Sequence, residues 1–176
     1  ASLNFERTNN FTYSAWIKRK TTANSFDEII TNEQDTTTFG GINFYISNTN
    51  LTSVVLRSTT TNFINVAGSG VTINDTNWHH VAFTYNGTSN ATGVAIYTDG
   101  VLISKNIITD SLTTTILSTR DWNIGNTPAR TGLEFGGEID EVMIFDKALS
   151  ATDISELYTR SLVNHTTYSA KTEFIN

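Results

Sequence analysis

Phe11-Thr12-Tyr13-Ser14-Ala15-Trp16-Ile17-Lys18 is the stretch that decides the fold. Phe11, Tyr13, Ala15 and Ile17 alternate with Thr12, Ser14, Trp16 and Lys18, the period of a strand, so one face is apolar while Trp16 anchors the other. A strand covered on both sides fits this pattern. Similar short runs follow at Phe26 to Thr31, Gly41 to Ser47, Leu51 to Arg57, Phe63 to Ala67, Trp78 to Tyr85, Gly93 to Thr98, Val101 to Ile107, Asp121 to Gly125 and Gly136 to Phe145. Ala1 to Glu6 reads as a further strand. Clusters of Asn, Thr, Gly and Ser separate the runs, which is the spacing of an antiparallel sandwich.

Asp99-Gly100 lies between two alternating apolar runs, and a two-residue hairpin loop needs positive φ at both positions, which Asp and Gly tolerate. Near the end, Ser150 and Asp153 have capping-box spacing ahead of Ile154, Leu157 and Tyr158, so one short helix is expected over about Ala151 to Tyr158. The segment 161–176 loses its periodicity and reads as an edge strand or an outgoing linker, which sets residues 1–160 as the domain. About ten strands and one late helix cannot build a parallel βαβ sheet, so the fold class is all-β, a two-sheet antiparallel sandwich. Trp16, Val81, Phe83, Ile96, Val142, Ile144 and Phe145 are the residues expected between its sheets.

Composition narrows function. The 176 residues include 31 Thr, 19 Asn and 15 Ser, with 38% hydrophobic and 16% charged side chains. This polar, uncharged excess favours strands and turns. The formal net charge of -6 offers no field for nucleic-acid phosphates. No apolar run is long enough for a bilayer span. Without cysteine there is no disulfide framework, thiol nucleophile or thiolate metal cluster.

Five ordered blocks resemble the laminin-G-like domains of the concanavalin A-like jelly-roll superfamily. They are Phe11 to Ile17, Trp78-His79-His80-Val81-Ala82-Phe83-Thr84-Tyr85, Tyr97-Thr98-Asp99-Gly100, Ile124-Gly125, and Phe135 to Phe145, the last continued by Ala148-Leu149-Ser150 to Leu157-Tyr158. The resemblance implies a jelly roll with one terminal helix. It also implies a non-enzymatic module for glycan or protein binding, or a spacer, in a larger extracellular, cell-surface or phage and virion surface protein. Its partners would be a glycan or a surface protein. Many relatives bind calcium through acidic side chains and carbonyls at one rim. Here Glu6-Arg7-Thr8 stands where many relatives have Asp-Gly, and Asp140 is the residue taken as a Ca2+ ligand.

Glu138 and Asp140 share a strand face and invite a glycosidase reading. The positions where laminarinase-like relatives place a further acid hold Val142 and Met143, so the proton donor is missing and no enzyme is expected. His79 and His80 are adjacent on a strand, point to opposite faces and cannot chelate one metal together. Neither a Gly-x-Ser-x-Gly elbow nor a phosphate-binding glycine loop occurs. A sugar site needs an aromatic platform beside planar polar groups. Arg120, Trp122, Asn126 and Arg130 have that chemistry, and Phe44-Tyr45 adds to it.

Overall fold

The computed structural model describes residues 3–20, 26–33, 40–126 and 132–166. Its strands are β1 (Asn10–Arg19), β2 (Phe26–Thr31), β3 (Gly41–Ser47), β4 (Thr52–Arg57), β5 (Phe63–Ser69), β6 (Trp78–Asn86), β7 (Val94–Thr98), β8 (Val101–Asp110), β9 (Asn123–Ile124) and β10 (Gly137–Phe145), followed by the helix α1 (Ala151–Thr166). All pairings are antiparallel, in the order β10-β1-β6-β7-β8-β5-β4-β3-β2-β9. β8 joins the two layers: Val101 to Ile103 pair with β7, while Ser104 to Asp110 pair with β5. The sheet thereby curls into a jelly-roll sandwich, with β10, β1, β6 and β7 in front and β5, β4, β3, β2 and β9 behind.

Alternation on β1 holds to the residue. Phe11, Tyr13, Ala15 and Ile17 are all fully buried between the layers. Tyr13 and Phe83 stack with centroids 5.2 Å apart, and Phe83 of the front layer meets Phe44 of the back layer edge-on at 5.0 Å. A second tie is ionic. The Arg19 guanidinium, at the end of β1, donates to Asp27 Oδ2 of β2 at 2.7 Å and to the Ile73 carbonyl at 2.7 Å, with Arg19 and Asp27 side chains both fully buried. Such a buried pair is tolerated only when its remaining hydrogen-bonding capacity is used.

The outer face of the front layer is closed by α1. Ser150 and Asp153 form the expected capping box: the Ser150 amide donates to Asp153 Oδ2 at 2.9 Å and the Asp153 amide to Ser150 Oγ at 3.2 Å. The helix continues past Tyr158 to Thr166, so 161–166 is neither edge strand nor linker; 167–176 lies outside the described residues. Its buried stripe continues as Ser161 and His165, polar residues that hide the helical period. Trp16 explains them: its indole donates to Ser161 Oγ at 2.7 Å and stacks on His165 at 4.2 Å. Trp16 therefore lies under the helix rather than between the sheets. Phe145 likewise packs with Ala82, Tyr97, Leu149 and Ile154.

Asp99 and Gly100 turn the β7–β8 hairpin with φ of 50° and 77°, as the sequence predicts. A Cβ on Gly100 would lie 2.9 Å from the Tyr158 ring, so glycine also lets the helix seat. Leu3 to Glu6 form no strand. Instead Asn4 holds the segment through its side chain, donating to the Ser118 carbonyl at 2.8 Å, while Phe5 enters the core.

His79 and His80 face opposite ways. His79 sits between Asp99 Oδ2 at 2.9 Å and Asp75 Oδ1 at 3.0 Å, and these partners, Asp99 foremost, raise its pKa above 6.5. His80 lies beside Trp16, and burial pushes its pKa down to about 4.

Truncating Phe83→Ala is expected to remove about 3–5 kcal/mol of stability, read as a lower urea midpoint, because it empties the contact between the layers. For His79 the raised folded pKa fixes the sign: its ion pairs stabilise fully below the unfolded value and lose that contribution as pH rises through the folded one. The melting gap between the parent and His79→Ala should accordingly be large at about pH 5.5 and shrink by about pH 9. A gap that widened with pH would contradict the pairing.

Candidate ligand-binding site

On the back layer, strand alternation sorts side chains into two sets. Ile29, Ile42, Phe44, Ile46, Val54, Leu56, Ile64 and Val66 face the core. Between them, Phe26, Glu28, Asn43, Tyr45, Val55, Arg57 and Asn65 point to the other side. A bulge in β2 between Glu28 and Ile30 offsets the strand from β3 while keeping Glu28 opposite Tyr45. Asn43, Val55 and Asn65 lie side by side on β3, β4 and β5. With Glu33 and Leu133 these seven outward residues line a cavity of about 210 Å³.

The lining is mixed, and much of its polar part is buried. Glu28, Glu33 and Asn43 are 1%, 6% and 4% exposed. Asn43 Nδ2 donates to Glu28 Oε1 at 3.1 Å and to Glu33 Oε2 at 3.4 Å, and Glu33 also forms an ion pair with Arg57 Nε. The Arg57 guanidinium lies 4.2 Å from the centre of the Phe63 ring, a cation–π contact. Tyr45 and Phe26 meet with centroids 5.7 Å apart and form the aromatic wall. Burial, reinforced by Glu28 and Glu33, pushes the Tyr45 phenol up to about 12, so it remains a neutral hydroxyl at physiological pH.

Asn43 Oδ1 and Asn65 Oδ1 are buried in this lining and accept no hydrogen bond among the described residues. For Asn43 the two carboxylates settle the amide orientation, because only the NH2 end can donate to them. The site thus combines an aromatic surface, a set of held carboxylates and two amide side chains whose oxygens are buried. Aromatic rings beside planar polar groups are the chemistry with which proteins orient hydroxylated ligands.

The residues expected from the sequence are distributed differently. Arg120 and Trp122 share a second cavity of about 240 Å³ with Leu3, Asn4, Asn32, Ser118, Thr119 and Asp121. Trp122 packs against the core, with its ring 5.4 Å from Tyr13, so much of its surface is used internally. Asn126 is exposed and lines neither cavity, and Arg130 lies outside the described residues. Glu138 is 3.8 Å from Lys18 on the surface. Asp140 is exposed, and its Oδ1 accepts the Glu141 amide at 2.7 Å. Among the described residues no three acidic or histidine side chains gather as a metal-ligand set. A single carboxylate supplies too little of the six to eight oxygen ligands calcium takes, so the described side chains alone do not fit that ion.

Tyr45 was within reach of sequence reading, but Glu28, Glu33, Asn43, Arg57 and Asn65 were not singled out. The available signal was polar residues at alternate positions of otherwise apolar strands, as in Ile42-Asn43-Phe44 and Ile64-Asn65-Val66.

No curated protein sequence matches this chain. Solved structures share its fold at low identity. The binding domain of botulinum neurotoxin serotype G superposes with a TM-score of 0.65 and 17% identity, over 90% of this chain and 38% of that one. The CBM40 of the Ruminococcus gnavus IT-sialidase bound to α2,3-sialyllactose gives 0.65 and 14%, over 86% and 83%. A heptameric SAP-like pentraxin from Limulus polyphemus gives 0.56 and 16%, over 86% and 70%. The chain thus spans well under half of the neurotoxin binding domain. The Laminin_G_3 family model matches residues 1–155, and with the curled antiparallel sheet this places the chain in the concanavalin A-like lectin/glucanases superfamily.

Proposed function

We propose that this chain is a non-catalytic carbohydrate-binding module, working as the recognition part of a larger extracellular, cell-surface or virion-surface protein. The observation that carries the reading is the back-layer cavity, where the Tyr45 and Phe26 rings stand beside Asn43, Asn65 and the Glu33–Arg57 pair. Rings cover the apolar face of a sugar, and planar amide and carboxylate groups meet its hydroxyls. Similar folds support it. The sialidase CBM40 is seen with sialyllactose, and a related neurotoxin of type C depends on two ganglioside molecules for cell entry. No helix among the described residues is long and apolar enough to cross a membrane.

A second reading, a structural or protein-interaction module, draws on β8, where Val101, Leu102 and Ile108 are 64%, 55% and 60% exposed. Sedimentation separates the two. Self-association that persists in a Leu102→Ser, Ile108→Ser variant would leave β8 without that role.

Tyr45→Ala should weaken binding to the glycans retained by the parent chain by about tenfold or more, in a variant that melting curves show to be folded. Equal binding by calorimetry would remove the cavity from the account. Calcium is not part of this proposal, since Asp140 stands without further described side-chain ligands, and the melting temperature is expected to coincide in excess calcium and in chelator. Saturation of a true site at about 100 times its dissociation constant would add about 2.7 kcal/mol and separate the two curves.

A further inference from the structure

We infer that the cavity lined by Asn32 and Trp122 is a second sugar subsite, separate from the back-layer cavity, and that it takes the acetamido group of an N-acetylhexosamine. The sugar class rests on the carbohydrate-binding reading, while the acetamido group is argued from this cavity alone. Three observations combine.

The first is a donor without an acceptor. Asn32 follows β2 and is 2% exposed, yet it lines the cavity. Its main chain is held, because its amide donates to the Ile42 carbonyl at 3.1 Å and its carbonyl accepts Ser118 Oγ at 2.7 Å. The Ile42 amide donates to Asn32 Oδ1 at 2.8 Å, which settles the side-chain orientation and leaves Nδ2 as the end with protons to give. Nδ2 has no hydrogen-bond partner among the described residues, and unlike the Asn43 and Asn65 amide oxygens it is not shut off from solvent. A donor held this deep is stabilised by an oxygen brought to it.

The second is the apolar surround. Trp122, half-buried against Tyr13, lines the same cavity, and so does Leu3, which is 46% exposed. The ligand group that meets this lining carries an accepting oxygen beside something to bury. An acetamido group has both, a carbonyl oxygen and a methyl on one carbon. A sugar hydroxyl lacks the methyl, and a carboxylate lacks it and adds a charge.

The third is charge and size. Arg120 and Asp121 are the charged residues of the lining, and their formal charges cancel. Such a lining suits a neutral acceptor better than an anion, in a chain of net charge -6. The volume of about 240 Å³ lies below the range of about 300–1,000 Å³ that holds drug-sized ligands, and suits one sugar ring with its substituent. No residue is common to this lining and that of the back-layer cavity, so the two can be tested apart.

The test is an amide NMR titration of the full chain with N-acetylglucosamine and N-acetylgalactosamine beside glucose, galactose, glucuronic acid and acetyl-lysine amide. The Asn32 side-chain amide and the Trp122 indole N–H should shift with the N-acetyl sugars, which should bind there about tenfold or more tightly than glucose and galactose. These shifts should persist in Tyr45→Ala, altered in the other cavity. They should be lost in Asn32→Asp, which keeps the oxygen that accepts the Ile42 amide and removes the donor. Melting curves establish that Asn32→Asp is folded; should it not fold, the parent and Tyr45→Ala titrations decide. Equal affinity for glucose, or tighter binding of glucuronic acid, overturns the acetamido assignment. Shifts confined to Tyr45 and its neighbours, or N-acetyl shifts unchanged in folded Asn32→Asp, overturn the subsite and leave glycan binding standing. Acetyl-lysine amide binding as tightly as the N-acetyl sugars assigns the cavity to an acetylated peptide and overturns the sugar class. A chain that shifts with no sugar in either cavity overturns the carbohydrate-binding reading, and the subsite falls with it.

Discussion

Phe44 set edge-on against Phe83 is the contact on which the rest depends. It presses the back layer onto the front one, and it fixes the register of β3. A slip of one residue would turn every side chain of the strand to the opposite face. Asn43 and Tyr45 would then point into an aromatic core, and Ile42, Phe44 and Ile46 would point out. The polar cavity and the apolar core are therefore two faces of one alternation, and each penalises errors in the other.

The two faces of the sandwich differ in how they are finished. The outside of the front layer is sealed by α1, with Trp16 as the anchor beneath Tyr158, Ser161 and His165. Among the described residues no helix covers the outside of the back layer, and its polar row of Glu28, Asn43 and Asn65 lines a cavity. Burying those groups costs free energy unless they are hydrogen-bonded, and the Asn43 bridge to Glu28 and Glu33 meets most of the need. Among what it leaves over are the buried Asn43 and Asn65 amide oxygens. Placing the superfamily's fold thus says less about this chain than the particular residues on this one face.

Much of the architecture was legible in the linear order. Period-two alternation located each of the strands β1 to β10, the Asp99-Gly100 pair gave the hairpin, and Ser150 with Asp153 marked the start of α1, because each rests on local backbone geometry that neighbouring residues determine. The failures share a cause. Leu3 to Glu6 has strand-like residues but is tethered through the Asn4 side chain, and α1 runs to Thr166 because Ser161 and His165 find a remote partner in Trp16. No window of sequence contains those partners.

The same division runs through the site. Which residues carry hydroxyls, amides, rings and charges, and that they sit on alternating strands of one antiparallel sandwich, is determined by the sequence alone. Only the tertiary structure decided that Glu28, Glu33, Asn43, Arg57 and Asn65, drawn from separate strands and a loop, meet in one cavity while Trp122 turns its ring to Tyr13. Strand pairing joins residues distant in the chain, and which outward rows become neighbours follows from the order in which the strands curl around the core.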